Sequence, residues 1–228
     1  MKTFAGAALI SAATAFSNSR PIYGTYPGWI EGQDSLGIQI ELFEDYLCSD
    51  CLAFNPVMEE LLQTQWNGKT VGEQVGVGLT PFPLPYHVHS YQVAQLVPYF
   101  MDLCVESANA TCLSNEYKDF AFTKQGTILS MKDTSQNDFI DWWSEQVATQ
   151  FGMETSQIQD AYTSRQYDTD GSTRVFLKYA WSKGVFGTPT AFVNGVMLDT
   201  VPMTVDGWIE LLDEVYGSQP KAIEAFLQ

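Results

Sequence analysis

Positive charge is scarce in this 228-residue chain: 11 Lys and Arg stand against 27 Asp and Glu, a net charge of −16. Such a surface repels a phosphate backbone, which excludes nucleic acid as a partner. The acid is spread through segments such as Glu59-Glu60 and Asp168-Thr-Asp170, so it reads as a soluble, self-repelling exterior rather than a substrate site. Cysteine is also rare, with four residues, at 48, 51, 104 and 112. A chain this long, with six Trp and eleven Tyr, can bury a real core without disulfides to rescue it. Histidine is limited to His87 and His89. Past the first fifteen residues no apolar stretch reads as a membrane span, and no internal repeat or low-complexity tract occurs.

What is present begins at the N-terminus. Lys2, the small and apolar run from Phe4 to Ala13, and Ala13-Thr-Ala15 form the three regions of a secretory signal peptide over residues 1–15. The expected location is therefore the secretory pathway. The C-terminal Ala225-Phe-Leu-Gln228 is not a K-D-E-L-type retention signal, which favours secretion or an endomembrane lumen. The remaining length suits one domain carrying a substantial insertion.

Cys48-Ser49-Asp50-Cys51 follows the alternating stretch Gly37–Phe43 and precedes a helical pattern, Leu52–Leu62. Two cysteines one turn apart at a helix start can close a small disulfide ring, and the free N–H groups there stabilise a thiolate on the first. Cys48 is accordingly the expected nucleophile. Four cysteines permit three pairings; local pairing gives 48–51 and a structural 104–112 disulfide. Inside that second loop, Asn109-Ala-Thr111 is an N-glycosylation acceptor.

Along the chain, residues 16–36 read as an irregular lead-in rich in Pro and Gly. A strand is expected at Ile38–Phe43, a helix from Cys48 to about Thr64 kinked by Pro56, a turn at Asn67-Gly68 and a strand at Glu73–Leu79. Helical spacing then predicts Val88–Leu103, Asn115–Thr123, Gln136–Phe151, Thr155–Tyr162 and Thr173–Lys183, with Trp142 and Trp143 in a core or interface. A strand pair around Asn194-Gly195 and a helix over Gly207–Tyr216, capped by Thr204 or Asp206, complete the pattern. The order describes an α/β sheet (37–83 and 184–228) interrupted by a helical insert and return helix (84–183).

On these motifs the chain resembles the thioredoxin superfamily, and within it the DsbA-like branch with its all-helical insert. Phe43-Glu-Asp-Tyr-Leu-Cys-Ser-Asp-Cys51 is similar to that branch's strand-to-helix active-site segment, with Pro56 at the position of its helix-kinking proline. Phe82-Pro-Leu-Pro-Tyr-His87 is similar to the segment leading into the insert in eukaryotic DsbA-like proteins, and Gly184-Val-Phe-Gly-Thr-Pro-Thr-Ala-Phe-Val-Asn-Gly195 to the cis-proline loop and hairpin. The resemblance implies a thioredoxin-like fold with an inserted all-helical subdomain. It also implies a cis Pro189 against the dithiol and a Thr188 backbone available to an extended peptide.

The implied activity is thiol–disulfide exchange with protein or peptide cysteines, glutathione being a further candidate partner. Cys48 forms the mixed disulfide and Cys51 resolves it, without metal or organic cofactor. Two residues depart from the pattern. Asp50 is expected to oppose the Cys48 thiolate and make the disulfide less oxidising, while Ser49 can donate a hydrogen bond to sulfur. Six residues before Cys48, where many relatives carry a buried acid, stands Leu42. Glu41 is expected on the opposite sheet face, and Glu44 and Asp45 are expected to be solvated. A zinc site built from both cysteines and both histidines is disfavoured by the cis-proline loop. Two alternatives stay open: a redox-silent peptide-binding module with a structural 48–51 disulfide, and a glutathione-dependent transferase or isomerase.

Overall fold

The computed structural model describes residues 24–106 and 113–218, without the side chains of 104–106. The signal peptide, Asn109 and the 104–112 disulfide lie outside the described residues. The chain has a thioredoxin-like fold with a helical insert. Its sheet is built on β2 (Ile38–Glu44), which pairs in parallel with β5 (Val75–Pro81) and antiparallel with β6 (Thr190–Val193). The outer strands are β1 (Trp29–Gly32), against β5, and β7 (Val196–Met197), against β6. The order is β1-β5-β2-β6-β7.

β1 corrects the sequence expectation, since it lies within the stretch read as an irregular lead-in. Its four residues carry no alternation; what makes them a strand is pairing with a segment fifty residues away, Trp29 opposite Leu79. Gly78 permits this. A Cβ there would lie 2.6 Å from Tyr26 Cζ, so only glycine lets the tyrosine ring lie against the strand.

The pleat of β2 sends Ile38, Ile40 and Leu42, all fully buried, to one face. On the other, Glu41 pairs with Lys183 and accepts from Tyr179, and Phe43 packs on Tyr179. Helix α1 (Ser49–Gln63) carries Pro56 within it, and its Phe54 packs on Trp208 of α8 (Val205–Gly217), whose cap is Thr204 accepting from Gly207 N–H. Between α1 and β5 lies a small hairpin, β3 (Gln65–Trp66) and β4 (Lys69–Thr70), turning at Asn67-Gly68, with both residues at positive φ.

The insert comprises α2 (Ser90–Ala94), α3 (Val97–Glu106), α4 (Ser114–Ser130), α5 (Gln136–Phe151) and α6 (Thr155–Thr163); α7 (Thr169–Ser182) returns the chain to the sheet. The single helix expected over Val88–Leu103 is two, because Pro98 offers no N–H at the break and His89 sits left-handed before the first. α5 begins and ends where the sequence places it: the Ser135 hydroxyl accepts from Asp138 N–H, and left-handed Gly152 terminates it. Trp143 is fully buried, stacks on Phe120 and donates to Tyr117, whose hydroxyl donates to Val93 O. Polar tips are thus satisfied inside an aromatic core.

Candidate active site

Strand directions gather three segments at one end of the sheet. β2 exits there into Asp45–Cys48, the parallel β5 exits into Phe82–His89, and the antiparallel β6 enters from Thr188-Pro189, with Phe43 opposite Thr190 and Glu44 opposite Pro81. The Thr188–Pro189 bond is cis.

The turn before α1 is held by Asp45, whose carboxylate accepts from Leu47 N–H at 2.9 Å while its carbonyl accepts from Cys48 N–H at 3.0 Å. Gln125, reaching in from α4, donates to the carbonyls of Tyr46 and Cys48 at 3.1 and 3.0 Å. The insert therefore fixes the cysteine-bearing turn, a role that no local motif in α4 signals. Cys48 is the N-cap residue of α1.

Cys48 and Cys51 lie 3.7 Å apart as free thiols. Cys48 is 7% exposed and Cys51 fully buried. The Cys48 thiol is lowered to about 5. The hydrogen bond from Cys51 contributes most; burial opposes it, and the Thr188 side chain and the backbone N–H groups of Cys51 and Asp50 add to the lowering. As a thiol, Cys48 Sγ donates to Thr188 O at 3.4 Å. The Thr188 hydroxyl is buried with no partner among the described residues, which leaves it free to donate to the thiolate. Cys51 is pushed far above the ordinary thiol range, first by burial and then by its hydrogen bond to Cys48 and the charge of Glu44.

Three sequence expectations change here. Asp50 and Ser49 are exposed, the Asp50 backbone N–H favours the thiolate, and the Cys48 thiol is lowered rather than raised. Glu44 and Asp45, expected in solvent, are 4% and 1% exposed. Burial raises the Glu44 carboxyl to about 7 against the lowering influence of Lys118, itself buried on α4. Glu44 thus supplies a buried acid near Cys51 where Leu42 offers none. Glu41 does face away, toward α7.

The histidines do not assemble with the cysteines as zinc ligands. His87 Nδ1 contacts Asp45 at 2.6 Å, whereas His89 stacks on Phe139 at 4.0 Å and its Nε2 bonds to Met131 O. No group of three or more His, Cys, Asp or Glu suited to a metal occurs among the described residues, and no described helix is long and apolar enough to cross a membrane.

No protein-family model matches the chain, and no curated protein sequence matches it. Solved structures do. A candidate protein-disulfide isomerase of Pseudomonas syringae superposes with a TM-score of 0.61 at 15% identity, covering 80% of this chain and 96% of that one. Wolbachia pipientis alpha-DsbA1 gives 0.57 at 15% identity, over 91% and 97%, and Bacillus subtilis BdbD, crystallised oxidised, gives 0.54 at 12%, over 84% and 94%. At these identities the likeness establishes the fold, insert included, across nearly the whole length of each neighbour.

Proposed function

We propose that the protein is a thiol–disulfide oxidoreductase, an enzyme that exchanges disulfides with protein or peptide cysteines. The observation that carries this reading is the asymmetry of the dithiol: Cys48 is lowered to about 5 at a helix start, while Cys51, 3.7 Å away, is buried and held as a thiol. That asymmetry assigns the roles. Cys48 as thiolate attacks a substrate disulfide, giving a mixed disulfide and releasing one substrate thiolate. Cys51 loses its proton, attacks Cys48 Sγ and releases the second substrate thiolate, leaving the 48–51 disulfide; Glu44, the buried acid whose charge acts on Cys51, is the residue we assign to take up that proton. In the oxidising direction every step reverses. Thr188, beside cis Pro189, offers its backbone to an extended substrate, and no metal or organic cofactor enters the chemistry.

The same reading places exchange in an oxidising compartment of the secretory pathway, supported by the signal-peptide pattern of residues 1–15 and the Asn109 acceptor. Glutathione is a further candidate partner. The deciding experiment equilibrates the purified protein across glutathione redox buffers and follows alkylation of Cys48, with Cys48→Ser and Cys51→Ser as controls. Reversible opening of the 48–51 disulfide is expected; a disulfide that stays closed until the protein is denatured rules out catalysis and leaves a binding module.

A further inference from the structure

His87 has no part in the exchange scheme above, yet its setting is that of a working acid–base group. The Asp45 carboxylate contacts four partners: Leu47 N–H, Leu84 N–H at 3.0 Å, the Ser90 hydroxyl and His87 Nδ1 at 2.6 Å. A carboxylate only accepts, so Nδ1 carries the hydrogen, and Nε2 has no hydrogen-bond partner among the described residues. His89 is the contrast within the same segment, with its ring stacked and its Nε2 occupied. Ser90 bonds to Asp45, so the trio is not the serine–histidine arrangement of an acyl-transfer site.

The His87 side chain is 21% exposed and lines a hollow of about 600 Å³. Phe82 and Leu84 form one wall, Leu177 and Trp181 of α7 another, and Phe186 the mouth. Phe186, 81% exposed, lies two residues before Thr188, the residue whose carbonyl accepts from Cys48. Asp45 in turn accepts from Cys48 N–H, so dyad and nucleophile share one turn. The hollow thus adjoins, through Phe186, the loop whose Thr188 backbone meets Cys48. Its walls are mostly apolar.

We propose that His87, oriented by Asp45, is a catalytic acid–base residue of thiol–disulfide exchange. This rests on the oxidoreductase reading of Cys48 and Cys51. When the Cys48 thiolate attacks, a bond forms to the nearer substrate sulfur, the substrate S–S bond breaks, and the electron pair stays on the farther sulfur. The imidazolium form of His87 gives that sulfur the proton on Nε2, producing a thiol and leaving a neutral ring whose Nδ1–H stays on Asp45. In reverse, Nε2 takes the proton from a substrate thiol as that sulfur attacks the mixed disulfide. Two electrons pass between the substrate disulfide and the protein dithiol, and no other reactant is needed. The titratable groups around the ring are Asp45 from the β2–α1 turn, and Tyr86, His89 and Tyr91 from its own segment. The α7 wall of the hollow is uncharged, with Asp170, Arg174 and Lys178 lining the adjoining one.

The test uses leaving groups. Fully reduced full-length protein reacts in single turnover with an alkyl disulfide, whose basic thiolate is the poorer leaving group and gains most from a proton donor, and with a nitroaryl disulfide, whose acidic thiol gains little. His87→Asn keeps a donor for Asp45 and removes Nε2; His87→Gln is the second variant. At about pH 6 the alkyl rate is expected to fall at least about tenfold and the aryl rate to stay within about twofold. The wild type adds one control: above pH 6 the aryl rate stays flat because Cys48 is already thiolate. An unchanged alkyl rate in the variants, or equal losses on both substrates, overturns the assignment and leaves the oxidoreductase reading standing. A folded wild type inert toward both disulfides overturns the two together.

Discussion

Replacing Cys51 by Ala tests the electrostatics of the site, because the strongest influence lowering the Cys48 thiol is the hydrogen bond from its partner. A hydrogen bond to a charged acceptor is worth about 1.5–3 kcal/mol, or roughly one to two pKa units. Cys48 is therefore expected to move from about 5 in the wild type to about 6–7 in the variant. Cys51→Ser restores a donor and is expected to fall between the two. The assay is the pH dependence of Cys48 alkylation, followed on the Cys48 peptide by mass spectrometry so that Cys104 and Cys112 do not contribute. The midpoint, not the rate, is the observable, since a less acidic thiolate is intrinsically more nucleophilic and masks part of the lost ionisation. The low wild-type value has a redox consequence. Relative to an ordinary thiol at 9.0, a thiol at about 5 favours the reduced form at pH 7 by about 3 kcal/mol, making the disulfide tens of millivolts more oxidising, on the order of 60 mV. A wild-type midpoint above about 8, or a Cys51→Ala midpoint no higher than the wild type's, refutes this reasoning.

Two further substitutions separate exposed from buried charge. Asp50→Asn is expected to move the Cys48 midpoint by less than about one unit, because the side chain is in solvent, where ion interactions are weak; a larger drop in the same alkylation assay restores the carboxylate as a controlling influence. Glu44→Gln acts on stability. A buried carboxyl raised from 4.5 to about 7 binds its proton more tightly in the folded state, so its contribution is fully present below pH 4.5 and is lost as pH rises through about 7. The variant is expected to gain up to about 3 kcal/mol over the wild type at pH 8, less what Lys118 loses, and little at pH 4. Urea unfolding at both values checks it, and parallel pH profiles count against a buried, raised Glu44.

Elements with a strong local signal were legible from residues alone. The 3.6-residue spacing of α5 lies between a serine cap and a terminating glycine, and the alternation of Ile38–Phe43 matches a strand with one face fully buried and the other partly covered. β1 was not legible, since its partner Leu79 is distant in sequence and nothing in Trp-Ile-Glu-Gly alternates. Gln125 was not either: a glutamine in a helix is ordinary until its amide is found on the carbonyls of Tyr46 and Cys48.

The sequence by itself determined the two halves of the candidate site, Cys48–Cys51 and Thr188-Pro189, because each is a short motif whose chemistry depends on residue type and spacing. Only the tertiary structure decided the charges around them. Whether Glu44, Asp45 and Asp50 face water or protein depends on what covers the end of β2, and that cover comes from α4 and from the segment after β5, far along the chain. Desolvation and directed hydrogen bonds scale with that packing. The acid nearest the cysteines in sequence, Asp50, therefore counts through its backbone, while Glu44 and Asp45 set the proton chemistry from inside.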